Sequence, residues 1–128
     1  MGLKKIKNQK LKTINKQNSA PEHIAIESNK NIKILNVAKI TYLEASGSSS
    51  SIYLEDETML KVSKNLGFYE KLLDSKYFLR VHRSYIINIA YLENITRDSG
   101  GQYCVLKENC IIPISNRKFP SLKKLLHY

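Results

Sequence analysis

Residues 78–88 read FLRVHRSYIIN, and this stretch decides how the rest of the chain is interpreted. Its apolar and polar side chains alternate, which is typical of a β-strand with two different faces. The alternation places Phe78 and Arg80 on one face and Leu79 and Val81 on the other. We therefore predict one continuous strand over all but the last residue of the stretch.

The same stretch concentrates side chains that suit nucleic acid, because His82, Arg83 and Ser84 follow one another directly. The planar arginine fork matches a phosphate or a guanine edge, and histidine and serine add shorter contacts. Arg80 has two interpretations, as a DNA contact or as a strand residue paired with a carboxylate, and His82 is equally open between a DNA contact and a partly buried strand residue. Asn88 is interpreted mainly as a backbone-binding residue at a turn. On a straight strand Arg80 and Arg83 face opposite ways, so both reach DNA only where the strand ends or bulges.

Short strands punctuated by turn residues lie on both sides of this stretch. We predict a first hairpin, residues 24–27 and 30–35, across Ser28 and Asn29. The Gly/Ser-rich residues 45–51 predict a loop. Pro113 lacks an N–H, so it lies either on a strand at a sheet edge or at the end of its strand. The other predicted strands are residues 38–44, 52–55, 58–62, 91–97, 102–107 and 110–114.

Two short helices interrupt the β pattern. Ser63 is a candidate N-cap for a helix that ends at residues 74 and 75, with apolar side chains at near-helical spacing: Leu66, Tyr69, Leu72 and Leu73. A last helix is indicated by Leu122, Leu125 and Leu126. Its start is open between Ser115 as the cap and Pro120 at the first helical position.

The positive charge of the chain is unevenly distributed. The 128 residues carry a formal net charge of +10. Residues 1–20 carry +6, residues 21–75 carry −2 and residues 76–128 carry +6, counted from the sequence. Such an excess indicates a polyanionic partner, either nucleic acid or an anionic membrane surface. We interpret residues 1–22 as a basic linker or tail, and residues 23–128 as the folded domain.

Several classes of function find no support in the sequence. The three histidines are scattered, and no motif of a metalloprotease, a serine hydrolase or a phosphate-binding loop occurs. Cys104 and Cys110 lack metal-site spacing and are expected to be free thiols in a reducing cytoplasm. No apolar run approaches the ~18 residues of a membrane span, and no signal peptide is visible. We therefore expect a cytoplasmic protein that is not an enzyme, needs no cofactor or metal, and does not enter a membrane.

Two further segments are candidates for contacts with nucleic acid. The first is the basic cluster Asn116, Arg117 and Lys118, which follows Ser115 and suits base edges and phosphates. Its alternative interpretation is a solvated charge run. The second is the serine run, whose hydroxyls can meet phosphates from a loop tip; its alternative is a plain loop. The candidates in that run are Ser48, Ser49 and Ser50.

Taken together, three segments resemble the LytTR DNA-binding domain over roughly residues 24–127. They are ITYLEA at residues 40–45 before a small-residue loop, the stretch at residues 78–88, and IPISNR at residues 112–117 before an apolar helix. The resemblance implies a mainly β fold: elongated antiparallel β-sheets, one short helix packed beside them and a short C-terminal helix. It also implies that loops, and not a recognition helix, read successive grooves of double-stranded DNA.

The resemblance carries three contact regions over to this chain: residues 48–50, 82–84 and 116–118. The family often has a larger polar or aromatic residue in the first loop, where this chain has only serines. That departure leaves Arg83 and Arg117 as the main candidates for specificity. The resemblance further implies a homodimer on paired or repeated half-sites, and the output domain of a two-component response regulator behind a receiver-like domain.

Two other classes of function share the positive charge. One is an RNA or single-stranded nucleic-acid binder, for which the eight tyrosines offer stacking surfaces. The other is a membrane-surface or protein-interaction module that depends on the basic residues 1–22.

Overall fold

The computed structural model describes residues 20–128, so the predicted linker falls outside the described residues except for its last three positions. The described chain forms three antiparallel sheets and two α-helices. This confirms the expectation of a mainly β fold with two short helices.

The largest sheet has five strands in the order β5-β4-β3-β7-β6. The central strand β3 pairs with β4 on one side and with β7 on the other. The sheet is therefore built from two hairpins joined through β3, with β5 and β6 at its edges. Its strands are β3 (Ile40–Ser46), β4 (Ser49–Leu54), β5 (Met59–Val62), β6 (Phe78–His82) and β7 (Tyr85–Asn88).

The continuous strand predicted over residues 78–87 is wrong. The stretch folds back on itself at residues 83 and 84, so that His82 pairs with Tyr85 across a tight turn. The register also shifts between Arg80 and His82, which is the signature of a β-bulge. The apolar alternation is the same for one long strand and for two short ones, so periodicity alone could not locate the turn.

The loop predicted over residues 45–51 is also wrong. Strand β3 continues to Ser46 and β4 begins at Ser49, so only Gly47 and Ser48 form the turn. Gly47 has a φ of +62°, a backbone conformation that glycine adopts without strain. The serine composition suggested a loop, but pairing of β4 with both β3 and β5 draws the serines into the sheet.

The two smaller sheets are a hairpin and a three-stranded meander. Strands β1 (His23–Ser28) and β2 (Asn31–Asn36) turn at residues 29 and 30, one position later than predicted. The meander has the order β10-β9-β8, from β8 (Leu92–Asp98), β9 (Gly101–Leu106) and β10 (Cys110–Ile114). Strand β10 lies at the edge, which is one of the two placements that Pro113 allows.

The two helices are α1 (Leu66–Leu72) and α2 (Phe119–Leu126). The predicted cap at Ser63 is wrong, because Asn65 caps α1 and its side chain accepts from the N–H of Phe68 at 3.0 Å. For α2, Pro120 lies in the first turn, so the second of the two possible starts is the correct one.

Two apolar clusters lie on opposite sides of the five-stranded sheet. The first packs the sheet against α1 and the β1–β2 hairpin, with Leu66 and Ile86 fully buried. The second packs the other face against the meander and α2, with Ile87 and Leu122 fully buried. Because neighbouring strand residues face opposite ways, Ile86 and Ile87 enter different clusters. The sheet is therefore the middle layer, and both outer layers are fixed to it.

Candidate nucleic-acid interface

Three connections meet at one end of the sheet, and we call this the loop end: residues 47 and 48, 83 and 84, and 115–118. The N–H of Ala45 donates to the carbonyl of Ser84 at 2.8 Å, which places the first two side by side. The N–H of Ser115 donates to the carbonyl of Val81 at 2.8 Å, which attaches the third. Segments far apart in sequence are thus joined by backbone hydrogen bonds.

A shallow groove at the loop end brings the two arginines proposed for specificity together. Arg83 reaches it from the β6–β7 turn, and Arg117 and Lys118 reach it from the β10–α2 connection. Arg83 and Arg117 are both exposed. The described residues contain two ion pairs, and neither involves these three cations. Their charges are therefore available to an anionic partner. The rest of the lining is Glu70, Arg80, His82 and Ser115.

The β6–β7 turn is braced by side chains as well as by its backbone. Arg80 Nη2 donates to the carbonyl oxygen of Arg83 at 2.6 Å. The N–H of Ser84 donates to His82 Nδ1 at 3.1 Å. Because Nδ1 accepts, a neutral His82 ring carries its proton on Nε2 and can donate that proton to another group. All three predicted residues of this segment thus take part in local hydrogen bonds, His82 through its side chain and Arg83 and Ser84 through their backbone.

Arg80 and Asn88 make contacts within the fold, as their structural interpretations predict: Arg80 pairs with a carboxylate and Asn88 binds the backbone. Arg80 Nη1 pairs with Glu70 Oε1 on α1 at 3.0 Å, which confirms the carboxylate partner. Asn88 is buried, and its Nδ2 donates to the carbonyl of Ile40 at 2.9 Å. Its Oδ1 accepts from the N–H of Ala90 at 2.9 Å. Asn88 therefore joins β7 to β3 and to the turn that follows β7, at the end of the sheet opposite the loop end.

The β10–α2 connection is held from the meander. Asn116 Oδ1 accepts from Gln102 Nε2 on β9 at 3.1 Å. The carbonyl of Ser115 accepts from the N–H groups of Lys118 and Phe119 at 3.0 and 3.1 Å, which closes a turn just before α2. Sequence reasoning did not identify Gln102, because nothing along the chain signals a partner fourteen positions away.

The three candidate serines have different surroundings. Ser48 is exposed at the tip of the β3–β4 turn. Ser49 Oγ donates to the carbonyl of Ser46 at 2.8 Å. Ser50 is 1% exposed, and its Oγ donates to the carbonyl of Lys64 at 2.8 Å. The side chain of Ser50 is thus inside the fold, and Ser48 is the serine of this run that projects outward.

The tyrosines behind the loop end are used within the fold. Tyr42 and Tyr53 stack with ring centroids 4.3 Å apart. The hydroxyls of Tyr53 and Tyr85 donate to the Glu44 carboxylate at 3.2 and 3.1 Å. Burial, followed by the Glu44 charge, raises the pKa of both hydroxyls, so they remain protonated donors at neutral pH. Base stacking, which the single-strand alternative requires, is thus not the role of these rings.

Within residues 20–128 the chain has free thiols, but neither a cluster of metal ligands nor a helix that could span a membrane. Burial raises the pKa of the free Cys104 thiol to about 12, so it is not a nucleophile at neutral pH. No group of three or more potential metal ligands was found there. Neither helix in this part of the chain is long and apolar enough to cross a membrane.

Comparison with protein families gives a match over most of the chain. The model for the family described as the LytTr DNA-binding domain matches residues 30–127. The matched range contains every strand of the five-stranded sheet and of the meander, together with both helices. All three connections of the loop end therefore lie inside it.

Two kinds of curated relatives are similar to the chain. The sensory transduction protein LytT of Bacillus subtilis is 28% identical over 125 residues, which are 97% of this chain and 52% of LytT. The LytT protein of Bacillus anthracis is 30% identical over 80% of this chain and 42% of its own length. A heme-containing CO-sensing transcriptional regulator, RcoM 2 of Paraburkholderia xenovorans, is 28% identical over 73% of this chain and 35% of its own. The chain thus spans about half or less of these relatives.

A solved structure shares the fold. It is a LytTr DNA-binding domain of a response regulator from Bacillus cereus, and it superposes with a TM-score of 0.74 at 23% sequence identity. The match covers 85% of this chain and all of that one. The three-layer arrangement around the five-stranded sheet therefore recurs in that domain.

Proposed function

Because the chain belongs to the LytTR family of DNA-binding domains, we propose that its loop end binds double-stranded DNA in a sequence-specific manner. One observation carries the proposal of where the DNA binds. Arg83 and Arg117, 34 positions apart by their numbers, line the same exposed groove together with Lys118. A basic groove formed by separate connections suits a duplex, whose phosphates and base edges lie at several depths.

The side chains of the groove suit different parts of the duplex. The guanidinium groups of Arg83 and Arg117 match the O6 and N7 acceptors of guanine in the major groove. Lys118 and the Nε2–H of His82 suit phosphate oxygens, which carry no sequence information. Ser48 and Ser84 at the two neighbouring turns offer shorter polar contacts. Arg83 and Arg117 therefore define the sequence that is read, and the other side chains fix its register.

The secondary structure of the loop end supports reading by connections between strands. Arg83 lies in a tight turn, and Arg117 precedes the first residue of α2. Helix α2 itself packs Leu122 into the second apolar cluster. Its exposed face carries Lys123 and Lys124, which suit phosphates, whereas the two arginines proposed for base reading both lie outside the helix.

The wider setting of the domain is also a proposal. We infer that it is the non-enzymatic output part of a cytoplasmic bacterial transcription regulator of the two-component kind. The support is the family match, the sensory transduction role in the LytT name and the greater length of those relatives. The family resemblance further suggests that two copies bind paired or repeated half-sites. Residues 1–22 would then link the DNA-binding domain to a receiver-like domain.

Selection from a pool of random duplexes tests the proposed function directly. We expect the chain to enrich one short motif, and to bind that duplex at least tenfold more tightly than a scrambled duplex of equal composition. Native mass spectrometry of the complex should show two chains on a site with two half-sites. Failure to enrich any duplex, or competition by single strands as strong as by duplex, would contradict the proposal.

A further inference from the structure

The guanidinium group of Arg80 connects three parts of the loop end. Its Nη2 donates to the carbonyl of Arg83 at 2.6 Å, and its Nη1 donates to Glu70 Oε1 at 3.0 Å. Its Nε is buried and has no hydrogen-bond partner. The Arg80 side chain is 24% exposed and that of Glu70 is 44% exposed. Arg80 thus lies behind the turn, between helix α1 and the groove.

We propose that Arg80 is a positioning residue for sequence reading, and that Glu70 on α1 holds it in place. The inference rests on the proposed function, because it assigns the support of a turn that we propose reads DNA. Arg80 acts through Arg83: it fixes the carbonyl of that residue, and so the direction in which the Arg83 side chain leaves the backbone.

The planar arginine fork explains why this position needs arginine. One guanidinium group donates from two nitrogens in a single plane, to a carbonyl on one side and to a carboxylate on the other. A lysine ammonium at the same place is a compact point charge on a flexible stem and cannot hold both acceptors in one fixed geometry. The buried Nε has no hydrogen-bond partner in the described residues, so the polar contacts that orient the side chain are those of its two Nη groups.

Glu70 has two effects on DNA binding, and they have opposite signs. Its carboxylate lies in the lining of the basic groove and repels phosphates, which weakens binding to every sequence. It also prevents Arg80 from turning toward the DNA, which keeps Arg83 aligned. The first effect cancels in the ratio of affinities for selected and scrambled duplexes, whereas the second changes that ratio. The ratio therefore isolates the positioning role.

The experiment compares four variants of the full chain on the duplex selected by the wild type and on its scrambled counterpart, at one salt concentration. Arg80→Lys is expected to lower the ratio by on the order of tenfold, the size of one charge-assisted hydrogen bond. Glu70→Ala should lower the ratio while binding scrambled duplex as tightly as the wild type or more tightly. The double variant should lose no more than Arg80→Lys alone, because both changes affect one contact chain. Glu93→Ala, which removes an exposed carboxylate on β8, is the matched control and should leave the ratio unchanged.

Glu70 is exposed, so Glu70→Ala is expected to fold, and thermal unfolding of each variant verifies this. An unchanged ratio in folded Glu70→Ala would overturn the proposal, even if Arg80→Lys proved unstable. A fall in the ratio for Glu93→Ala equal to that for Glu70→Ala would overturn it too. A wild type that selects no duplex would instead contradict the proposed function, and the positioning role with it.

Discussion

The two ends of the five-stranded sheet differ in charge although the same strands connect them. The loop end presents Arg83, Arg117 and Lys118. The opposite end, which we call the far end, carries the β4–β5 turn and the residues between β9 and β10. Three acidic residues and one cation, Lys107, line a cleft there; the acidic residues are Glu55, Glu57 and Glu108. A six-residue strand such as β4 spans about 20 Å, well beyond the Debye length of about 8 Å at physiological salt.

This difference in charge between the two ends favours the approach of DNA to the loop end of a small domain. The field of the loop end acts on phosphates at close range, and the carboxylates of the far end are screened from them by salt and distance. Part of the negative charge at the far end is also used internally. Glu55 pairs with Lys39 at 3.4 Å and accepts from the Tyr91 hydroxyl at 3.0 Å. Binding energy should therefore depend on a few loop-end residues.

The largest effect on binding is expected from the two arginines of the loop end. Arg117→Ala and Arg83→Ala should each weaken binding to the selected duplex by about 1–3 kcal/mol, because each removes a side chain that we propose donates two hydrogen bonds to a base. Binding to scrambled duplex should change much less. Fluorescence anisotropy titrations on both duplexes measure the difference. Equal losses on the two duplexes would remove the specificity role and reduce these arginines to phosphate contacts.

A smaller effect, on stability, is expected from the buried serine behind the β3–β4 turn. Ser50→Ala should lower the free energy of unfolding by about 1 kcal/mol, because the carbonyl of Lys64 loses its donor. Ser48→Ala is the matched control at an exposed position, and it should leave the free energy of unfolding nearly unchanged. Urea unfolding followed by circular dichroism provides both values. A larger loss for Ser48→Ala than for Ser50→Ala would contradict the described packing.

A still smaller effect is expected from Lys118, whose ammonium suits phosphate. Lys118→Ala should weaken binding to selected and scrambled duplexes alike, by less than about 1 kcal/mol at physiological salt. It should also reduce the slope of log K against log salt by about one. Titrations at three salt concentrations test both points. A change in sequence preference would show that Lys118 reads bases.

The smallest effect is expected at the far end. Glu57→Gln should change affinity for either duplex by no more than about 0.3 kcal/mol, because a duplex bound at the loop end as proposed would lie more than one Debye length from this carboxylate. The same substitution at Glu70, in the groove, should strengthen binding to scrambled duplex. If both substitutions had the same effect, the difference between the two ends would be one of net charge and not of position.

Much of the fold could be predicted from the sequence because apolar runs, prolines and turn residues indicate the same strand boundaries. Strand β10 begins and ends where its apolar run and Pro113 indicate, and the turn before β9 follows its Asp-Ser-Gly-Gly sequence. Two features could not be predicted, because nonlocal pairing decides them. Ser50 enters the sheet opposite Val62 on β5, and the turn at Arg83 depends on the pairing of β7 with β3.

The candidate site also depends on contacts between distant residues, which the sequence does not reveal. The sequence identifies Arg83 and Arg117 as suitable side chains, and the family resemblance predicts that they converge on one rim of the β scaffold, but no pattern of residues shows the groove that they share. Their proximity depends on the hydrogen bond from Ser115 to Val81, which joins two sheets. The roles of Glu70 and Gln102 likewise arise from contacts across the fold. No periodicity along the chain encodes such contacts.

The bond between Ser115 and Val81 also has a consequence for the DNA itself. It attaches the end of the meander to the edge of the main sheet, next to the buried cluster that packs the two together, and so limits how far the two arginine-bearing connections can move apart. Adding one base pair lengthens the duplex by 3.4 Å per strand and, at 10–10.5 base pairs per turn, rotates one contacted base about 35° away from the other. Under the proposed contacts, an operator with one base pair inserted between the two contacted bases should bind more weakly, because one placement of the domain no longer aligns both arginines with their bases.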